Sequence, residues 1–202
     1  MTDRTTRITR ISSVAGYVVA AAGVLGLASV WLSQSAGNPS GTVNDLALLV
    51  MVGAIAPLML AFYELGGRAP LRLAQLAQTL GWVSVGIFVV VQLLVVAGVV
   101  IIDRQVAATG AVAAASLALG YIGLWIAGAN LLAGPWLTAG RWLGVPAGLS
   151  AAVFAFGILR GGADSGWTWI GGMGLLALGA AWAFVMARLL GNRYRADDGE
   201  LG

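Results

Sequence analysis

Polar side chains inside the long apolar runs are the residues of this sequence that could do chemistry at depth. Ser84, Phe88 and Gln92 recur at every fourth position, so on a helix they share one face. Gln92 lies near the middle of its apolar run, and Tyr121 lies at a similar depth if the next run returns antiparallel. Such uncharged amides and hydroxyls either bind polar parts of a ligand or hydrogen-bond to one another between helices.

Two interpretations of these polar residues stay open. In the first, six residues converge on a candidate polar cavity that opens toward the side of the termini: Gln92, Tyr121, Asn130, Ser84, Tyr63 and Tyr17. In the second, Gln92 bonds to Tyr121 and Asn130 bonds to Ser84, each bond contributing about 0.6 and at most about 1.7 kcal/mol to helix association. We favour the second interpretation, in which the polar residues only hold helices together.

The residue types that are missing exclude most enzyme chemistry. The sequence has no Cys and no His, and all 11 of its basic residues are arginine. Schiff-base lysines, thiolate nucleophiles and imidazole acid–base catalysis are therefore excluded, as are the usual ligands of haem, iron–sulfur clusters and most zinc sites. The few acidic residues are scattered. We predict a protein that is not an enzyme, with no catalytic residues, no bound cofactor and no metal.

Charged side chains avoid the apolar runs. Glu64, Asp103 and Arg188 lie at or near the ends of these runs. No Asp, Glu or Arg is expected deep inside any of them. A transporter driven by protons or sodium usually needs a buried carboxylate. The sequence therefore argues against coupled transport.

The composition indicates that lipid is the solvent of this chain. Of the 202 residues, 59% are hydrophobic and 9% are charged, whereas soluble domains have about 25% charged residues. The residues from Thr79 to Ile102 form a run of 24 without a charge or a proline. As a helix this run would be about 36 Å long, enough to cross the roughly 30 Å hydrocarbon core of a bilayer.

Six such runs predict an all-α polytopic membrane protein, a six-transmembrane-helix bundle that forms a single integral domain over residues 1–202. The predicted spans are 11–32, 46–63, 79–102, 111–133, 143–161 and 167–190. The first run is longer than the core of a secretory signal peptide, so we retain it as a span, with cleavage as the alternative.

Segments between the spans are predicted from their turn residues and charges. We expect a loop at Ser33–Asp45, and a lead-in at Glu64–Gln78 that is either a short interfacial helix after Pro70 or plain loop. The tail Gly191–Gly202 is charged and is expected to be disordered.

Two prolines fall inside predicted spans. Pro57 removes a hydrogen-bond donor from the second span and predicts a kink for packing, with a gating hinge as the alternative. Pro146 is expected in the first turn of the fifth span, where a missing donor matters least.

The arginines predict the orientation. Nine lie on the side of the two termini: Arg4, Arg7, Arg10, Arg68, Arg72, Arg141, Arg188, Arg193 and Arg195. Only Arg104 and Arg160 lie on the other side. The positive-inside rule therefore places both termini in the cytoplasm. Because the arginines are dispersed at helix ends, they indicate membrane topology rather than nucleic-acid binding.

Small residues at four-residue spacing predict how spans associate, because they let helix backbones approach closely. The fifth span has two such ridges and the sixth has one: Gly144, Gly148 and Ala152; Ala147, Ala151 and Ala155; and Gly179, Ala183 and Ala187. We expect these ridges to join the fifth and sixth spans, with homodimerisation as the alternative.

Three features of the sequence resemble a known group of proteins. They are the entry Arg10–Gly16, the end of the second span at Tyr63 before a polar Arg/Leu loop, and the stretch LWIAGANLLAGPWLTAGRWLGVPAG from Leu124 to Gly148. In these features the chain resembles the bacterial six-span membrane proteins of domain of unknown function 4386. The resemblance implies a multi-pass protein of the bacterial cytoplasmic (inner) membrane, and it implies no activity and no site residues.

Two functional hypotheses follow. In the first, the protein is a non-catalytic accessory or scaffold subunit, or binds a lipid-like ligand, and its partners are the bilayer and other membrane subunits or a second copy of itself. In the second, it is a small permease or channel for an uncharged or lipophilic solute, with Pro57 as hinge and Gln92, Tyr121 and Asn130 along the path.

Overall fold

Six α-helices make up the computed structural model of the chain, which describes residues 3–36, 39–65, 71–98, 104–129, 135–162 and 165–197. In chain order the helices are α1 (Asp3–Ala36), α2 (Pro39–Leu65), α3 (Leu71–Val96), α4 (Arg104–Ala129), α5 (Pro135–Gly161) and α6 (Gly166–Asp197). These ranges contain no strand. The prediction of an all-α fold is confirmed.

Five of the helices are long and apolar enough to cross a membrane. The qualifying stretches are Arg4–Leu32, Val43–Ala61, Gln75–Val96, Trp142–Gly161 and Gly166–Asn192. In α4 the apolar stretch among described residues is shorter, Val106–Ala118. Every helix also exposes large apolar side chains on the outside of the bundle, which is typical of a surface that faces lipid.

The helices form a closed ring in which neighbours run antiparallel. Each helix packs against the next one in the chain, α6 packs back against α1, and α2 also contacts α4. Along α1 and α2, Arg4 forms an ion pair with Glu64 at one end of the ring, and Gly26 lies beside Asn44 toward the other. We refer to these as the Arg4 end and the Asn44 end.

Glycines in α1 allow the ring to close. A Cβ atom at Gly16 would lie 2.8 Å from the Cβ of Ala187, and one at Gly23 would lie 2.7 Å from the Cβ of Ala180. Since real Cβ atoms do not approach this closely, only glycine permits this separation of α1 and α6. The small residues of the two helices thus bring their backbones into direct contact.

The main core lies where α1, α2, α3 and α6 meet. Its fully buried members include Val19, Ile55 and Leu58, and Trp182 fills part of the same cluster. A smaller cluster joins α4 to α5 through Ala111, Ala114 and Ala155.

The prediction of a loop at Ser33–Asp45 is wrong for most of that segment. Helix α1 continues to Ala36 and α2 begins at Pro39, so Asn44 and Asp45 are helical. Proline suits the first position of a helix because its missing N–H would have no partner there. A Ser/Gly/Asn composition therefore did not prevent helix formation between two long, packed neighbours.

Helix α3 also differs from its prediction. Either a short interfacial helix or a plain loop was expected before a third span over 79–102, but one continuous helix runs from Leu71 to Val96. It ends because Gly98 adopts a left-handed conformation with φ of 68°, which glycine reaches without a steric penalty. Residues 99–103 lie outside the described part of the chain.

Helices α5 and α6 extend beyond their predicted spans. Helix α5 begins at Pro135, which takes the first-turn position expected for Pro146, and Pro146 is interior. Helix α6 continues to Asp197, so most of the tail expected to be disordered is helical. The apolar spacing that defined the spans does not detect such polar helical extensions.

Members of two small-residue ridges lie on other contacts than the predicted one between α5 and α6. Helices α5 and α6 do pack together, but Ala183 and Ala187 of α6 lie against α1, and Gly179 faces Met51 of α2. Ala155 of α5 packs against α4. Spacing identifies a ridge suited to close packing, but it does not identify the helix that the ridge meets.

Candidate functional site

Gln92 joins α3 to α2. Its side chain is 8% exposed, and its Nε2 donates to the carbonyl oxygen of Asp45 at 3.2 Å. This bond differs from the predicted one to Tyr121, whose side chain lies outside the described part of the structure. The sequence could not supply this partner, because Asp45 was assigned to a loop.

Ser84 is almost fully buried in α3, with 1% of its surface exposed. Its Oγ has no hydrogen-bond partner among the described residues. The partner predicted for it, Asn130, lies outside those residues. A buried hydroxyl without a partner is destabilising, since it loses water without gaining a new bond.

Tyr17 and Tyr63 do not share the contacts that Ser84 and Gln92 make. Tyr17 is 40% exposed on the outside of the bundle, where its ring meets Phe184 of α6 edge to face at 5.8 Å. Tyr63 is half-buried near the Arg4 end of α2. Helices α1 and α3 are not neighbours among the described residues, so the structure does not bring Tyr17 to the Ser84–Gln92 stripe.

Pro57 lies within an uninterrupted helix that is held from the side. The Oγ of Ser12 in α1 donates to the Pro57 carbonyl oxygen at 2.6 Å, and the neighbouring Ile55 and Leu58 are fully buried. These contacts fix α2 against α1 at the proline. They favour a packing role over the alternative of a hinge.

A groove near the Asn44 end is the most ligand-like feature of the described structure. It has a volume of about 250 Å³ and lies between four helices: Val30 of α1, Asn44 and Leu48 of α2, Phe154 of α5, and the turns of α6 from Thr168 to Leu176. We call it the Asn44 groove. The described part of its lining is mainly apolar and includes no ionisable side chain.

Asn44 supplies an amide to this groove. Its Oδ1 is buried and has no hydrogen-bond partner among the described residues. A Cβ atom at Gly26 of α1 would lie 3.6 Å from this oxygen, so the amide lies close to the α1 backbone. Because almost none of its surface is accessible, this oxygen is closed to a ligand, and Asn44 lines the groove with its other atoms.

Thr168 is positioned in the groove by the turn between α5 and α6. Gly162, with φ of 74°, ends α5, and Ser165 caps α6 by accepting a hydrogen bond from the Trp167 amide at 3.3 Å. The Thr168 Oγ1 donates to the Gly162 carbonyl oxygen at 2.8 Å. Its hydrogen is therefore committed, and the hydroxyl can serve the groove only as an acceptor.

Close contact between α5 and α6 fixes the groove wall. A Cβ atom at Gly157 would collide with the backbone nitrogen of Thr168, and one at Gly171 would collide with that of Phe154. The two helices thus touch backbone to backbone beside the groove. Its α5–α6 wall is consequently preformed.

A second, larger cavity of about 460 Å³ lies at the same end, between the first turns of α4 and the end of α5. Arg160 lines it and lies 5.8 Å from the ring centre of Phe156, which in turn contacts Trp167 edge to face. Arg160 is exposed. Arg160 is the polar side chain among the described residues that line this cavity.

Comparisons of the chain with protein-family models, with curated proteins and with solved structures find no match. Any function must therefore be argued from the helices and the groove. The described residues include no group of three or more Asp and Glu side chains placed to hold a metal ion. What the described lining of the groove offers a ligand is mainly apolar surface.

Sequence reasoning missed the groove residues. The sequence assigned Asn44 to a loop, and nothing in it distinguished Thr168 from the other residues of the sixth span. The usable signal was weak: a lone asparagine shortly before an apolar run indicates a loop as readily as a buried amide. Only the assembled bundle shows that Asn44 lies beside α1 and lines the groove.

Proposed function

We propose that the protein is a non-catalytic, six-span protein of a bacterial cytoplasmic membrane that binds a lipid-like ligand in the Asn44 groove. The groove itself carries this proposal, because its described lining is mainly apolar and comes from four helices, with Asn44 and Thr168 as its polar residues. The resemblance to the six-span family of unknown function remains a prediction.

The geometry of α4 supports six crossings. The helix has 26 residues, so it is about 39 Å long, and its sequence remains apolar beyond the described stretch. It runs antiparallel to both neighbours: Gly120 lies beside Gly81 of α3, and Ala111 and Ala114 pack with Ala155 of α5. An antiparallel α4 of this length reaches from one end of the ring to the other.

The arginines support an orientation with the Arg4 end in the cytoplasm. Four exposed arginines lie near that end: Arg4, Arg7, Arg72 and Arg188. Among the described arginine side chains, Arg160 lies at the Asn44 end. The positive-inside rule then assigns both termini to the cytoplasm. The Asn44 groove would lie in the outer half of the membrane.

The size of the groove favours part of a lipid-like molecule over a whole drug-sized ligand. A buried apolar cavity of about 150 Å³ can hold benzene, and sites for drug-sized ligands start at about 300 Å³. At about 250 Å³, the groove fits one end of a chain, and its open side lets the rest continue along the bundle. A scaffold role remains compatible with such a bound lipid.

The permease alternative has less support. The described polar residues lie on separate helix contacts, with Gln92 bonded to α2 and Tyr17 on the outer surface. Pro57 is fixed by Ser12. No continuous polar path among the described residues favours solute transfer.

Photolabelling of the purified protein tests the ligand proposal. We expect a diazirine-bearing alkyl probe to label the 168–176 segment of α6 saturably, so that excess unlabelled alkane suppresses the labelling. Gly172 lines the groove, and Gly172→Leu should block the labelling by filling it. Gly86→Leu is the matched control, because a Cβ atom at Gly86 meets nothing within 4 Å. Labelling that is not saturable, or that Gly172→Leu leaves unchanged, would overturn the proposal.

A further inference from the structure

We infer that Met51 closes the inner end of the Asn44 groove and sets the length of the hydrocarbon chain that the groove accepts. The ligand then inserts one alkyl chain, and a chain longer than the distance from the mouth of the groove to Met51 does not enter completely. This inference rests on the proposed ligand-binding function and assigns to it a residue that determines specificity.

The groove follows one face of α2 and one face of α6. Both helices begin at the Asn44 end, so a higher residue number means a greater depth on each. Asn44 and Leu48 of α2 line the groove, as do Gly172 and Leu176 of α6. On each helix the two residues are four positions apart and therefore lie on the same side. The groove thus runs along these two faces into the bundle.

Met51 and Gly179 continue these two faces. Each lies three positions beyond the deepest lining residue of its helix, which is Leu48 or Leu176, and this spacing keeps it on the same side. Three residues add about 4.5 Å of depth at the helical rise. The space between α2 and α6 at the level of Met51 is therefore the direct continuation of the groove.

The Met51 side chain fills this continuation. The backbones of α2 and α6 are not neighbours among the described residues, so side chains occupy the gap between them. A Cβ atom at Gly179 would lie 3.1 Å from the Cε of Met51, which means that the Met51 side chain crosses from α2 to the surface of α6. Met51 is 3% exposed and belongs to the main core together with Leu176. The groove ends where this core begins.

Truncation of Met51 should therefore lengthen the groove. Gly179 has no side chain with which to fill the gap from the side of α6. Methionine is unbranched and fills irregular gaps, and helices around a truncated core side chain relax only partly, so a cavity remains. We expect Met51→Ala to extend the groove by about one helical turn, toward Ile55, the next residue on this face of α2.

Photolabelling with alkyl glucosides that carry a diazirine at the end of the chain tests the inference on the purified full chain in detergent. The sugar keeps the other end of the probe in water, so the labelled residue reports how deep the chain reaches. As the chain lengthens from octyl to hexadecyl, we expect saturable labelling of the wild-type protein to move inward as far as Leu48 and Leu176 and then to stop. In Met51→Ala, the longer probes should label Ile55, one turn beyond the substituted residue.

Met59→Ala is the matched control. Met59 is another buried methionine of α2, 2% exposed, and lies about two turns further from the groove, beside Gly81 of α3. The same truncation there should leave the labelled residues as they are in the wild-type protein. Thermal unfolding of both variants shows whether they are folded.

The outcomes separate the two proposals. Saturable labelling of Ile55 in the wild-type protein would overturn the role of Met51, and so would labelling of folded Met51→Ala that stops at the wild-type residues. In both cases the groove would remain a lipid site. Absence of saturable labelling in the groove with every probe would overturn the proposed function as well. The wild-type series needs no variant, so it decides even if Met51→Ala does not fold.

Discussion

The absence of a Cβ atom at single glycines permits the close approach of α5 and α6. At Gly171 a methyl group would collide with the backbone nitrogen of Phe154, whereas at the adjacent Gly172 it would meet the Phe154 ring at 3.4 Å, an ordinary contact. The two neighbouring glycines therefore have different physical roles. The first permits contact between α5 and α6, and the second leaves space in the groove.

Gly171→Ala should destabilise the protein, and Gly172→Ala should not. Overpacking a tight contact typically lowers the free energy of unfolding by about 1–3 kcal/mol, whereas replacing an unhindered helical glycine by alanine raises it by up to about 1 kcal/mol. Thermal unfolding of the purified variants in detergent measures both effects. Equal midpoints for the two variants would contradict the described α5–α6 contact.

Two buried serines should respond in opposite directions to the same substitution. Ser12→Ala removes the bond to the Pro57 carbonyl and should lower the free energy of unfolding by about 0.6 and at most about 1.7 kcal/mol. Ser84→Ala removes a buried hydroxyl that has no described partner, so we expect no loss of stability or a gain. Unfolding of both variants in the same detergent provides the comparison. A larger loss at Ser84 than at Ser12 would indicate that Ser84 has a partner.

The sequence anticipated which polar residues would be buried better than it anticipated their partners. Burial of Gln92 and Ser84 follows from their place in a long apolar run, which composition reveals directly. The partner of Gln92 is the Asp45 carbonyl, and that depends on α2 starting earlier than its apolar residues indicate. The place of Asn44 in the groove lining was missed for the same reason.

At the scale of helices, small residues determine the contact between the first and last elements of the chain. Gly16 and Gly23 of α1 lie directly against Ala187 and Ala180 of α6. The sequence revealed the ridges, but the α1–α6 pairing depends on how all six helices fill the ring. Such pairing is a property of the assembled bundle, which no single helix specifies.

A cysteine pair should cross-link α1 to α6. A Cβ atom at Gly191 would lie 3.0 Å from the Ser13 Oγ, so sulfur atoms introduced by Ser13→Cys and Gly191→Cys fall within reach of a disulfide. Because the chain has no cysteine of its own, any cross-link must come from this pair. Mild oxidation should increase the electrophoretic mobility of the double variant, and a reductant should reverse the shift.

The pair Ser13→Cys and Gly86→Cys serves as the control for this cross-link, because α1 and α3 are not neighbours among the described residues. It should not form an intramolecular disulfide. Cross-linking of the control as readily as the α1–α6 pair would mean that the ring is not closed as described.

For the whole molecule, the number of membrane crossings decides on which side of the membrane the arginines and the groove lie. Five helices are long and apolar enough to cross a membrane, and α4 decides whether the chain crosses five or six times. With six crossings the termini share the arginine-rich side and the Asn44 groove lies in the outer half of the membrane. With five, the two termini would lie on opposite sides and the charge asymmetry would have no topological explanation.

Labelling of single cysteines on either side of α4 tests the number of membrane crossings most directly. Asp103→Cys and Gly134→Cys each introduce one thiol into a chain that otherwise has none, and a membrane-impermeant maleimide is applied to spheroplasts and to opened membranes. We expect Asp103→Cys to react from outside and Gly134→Cys to react only after the membrane is opened. Labelling of both positions from outside would show that α4 does not cross, and would contradict the six-span account.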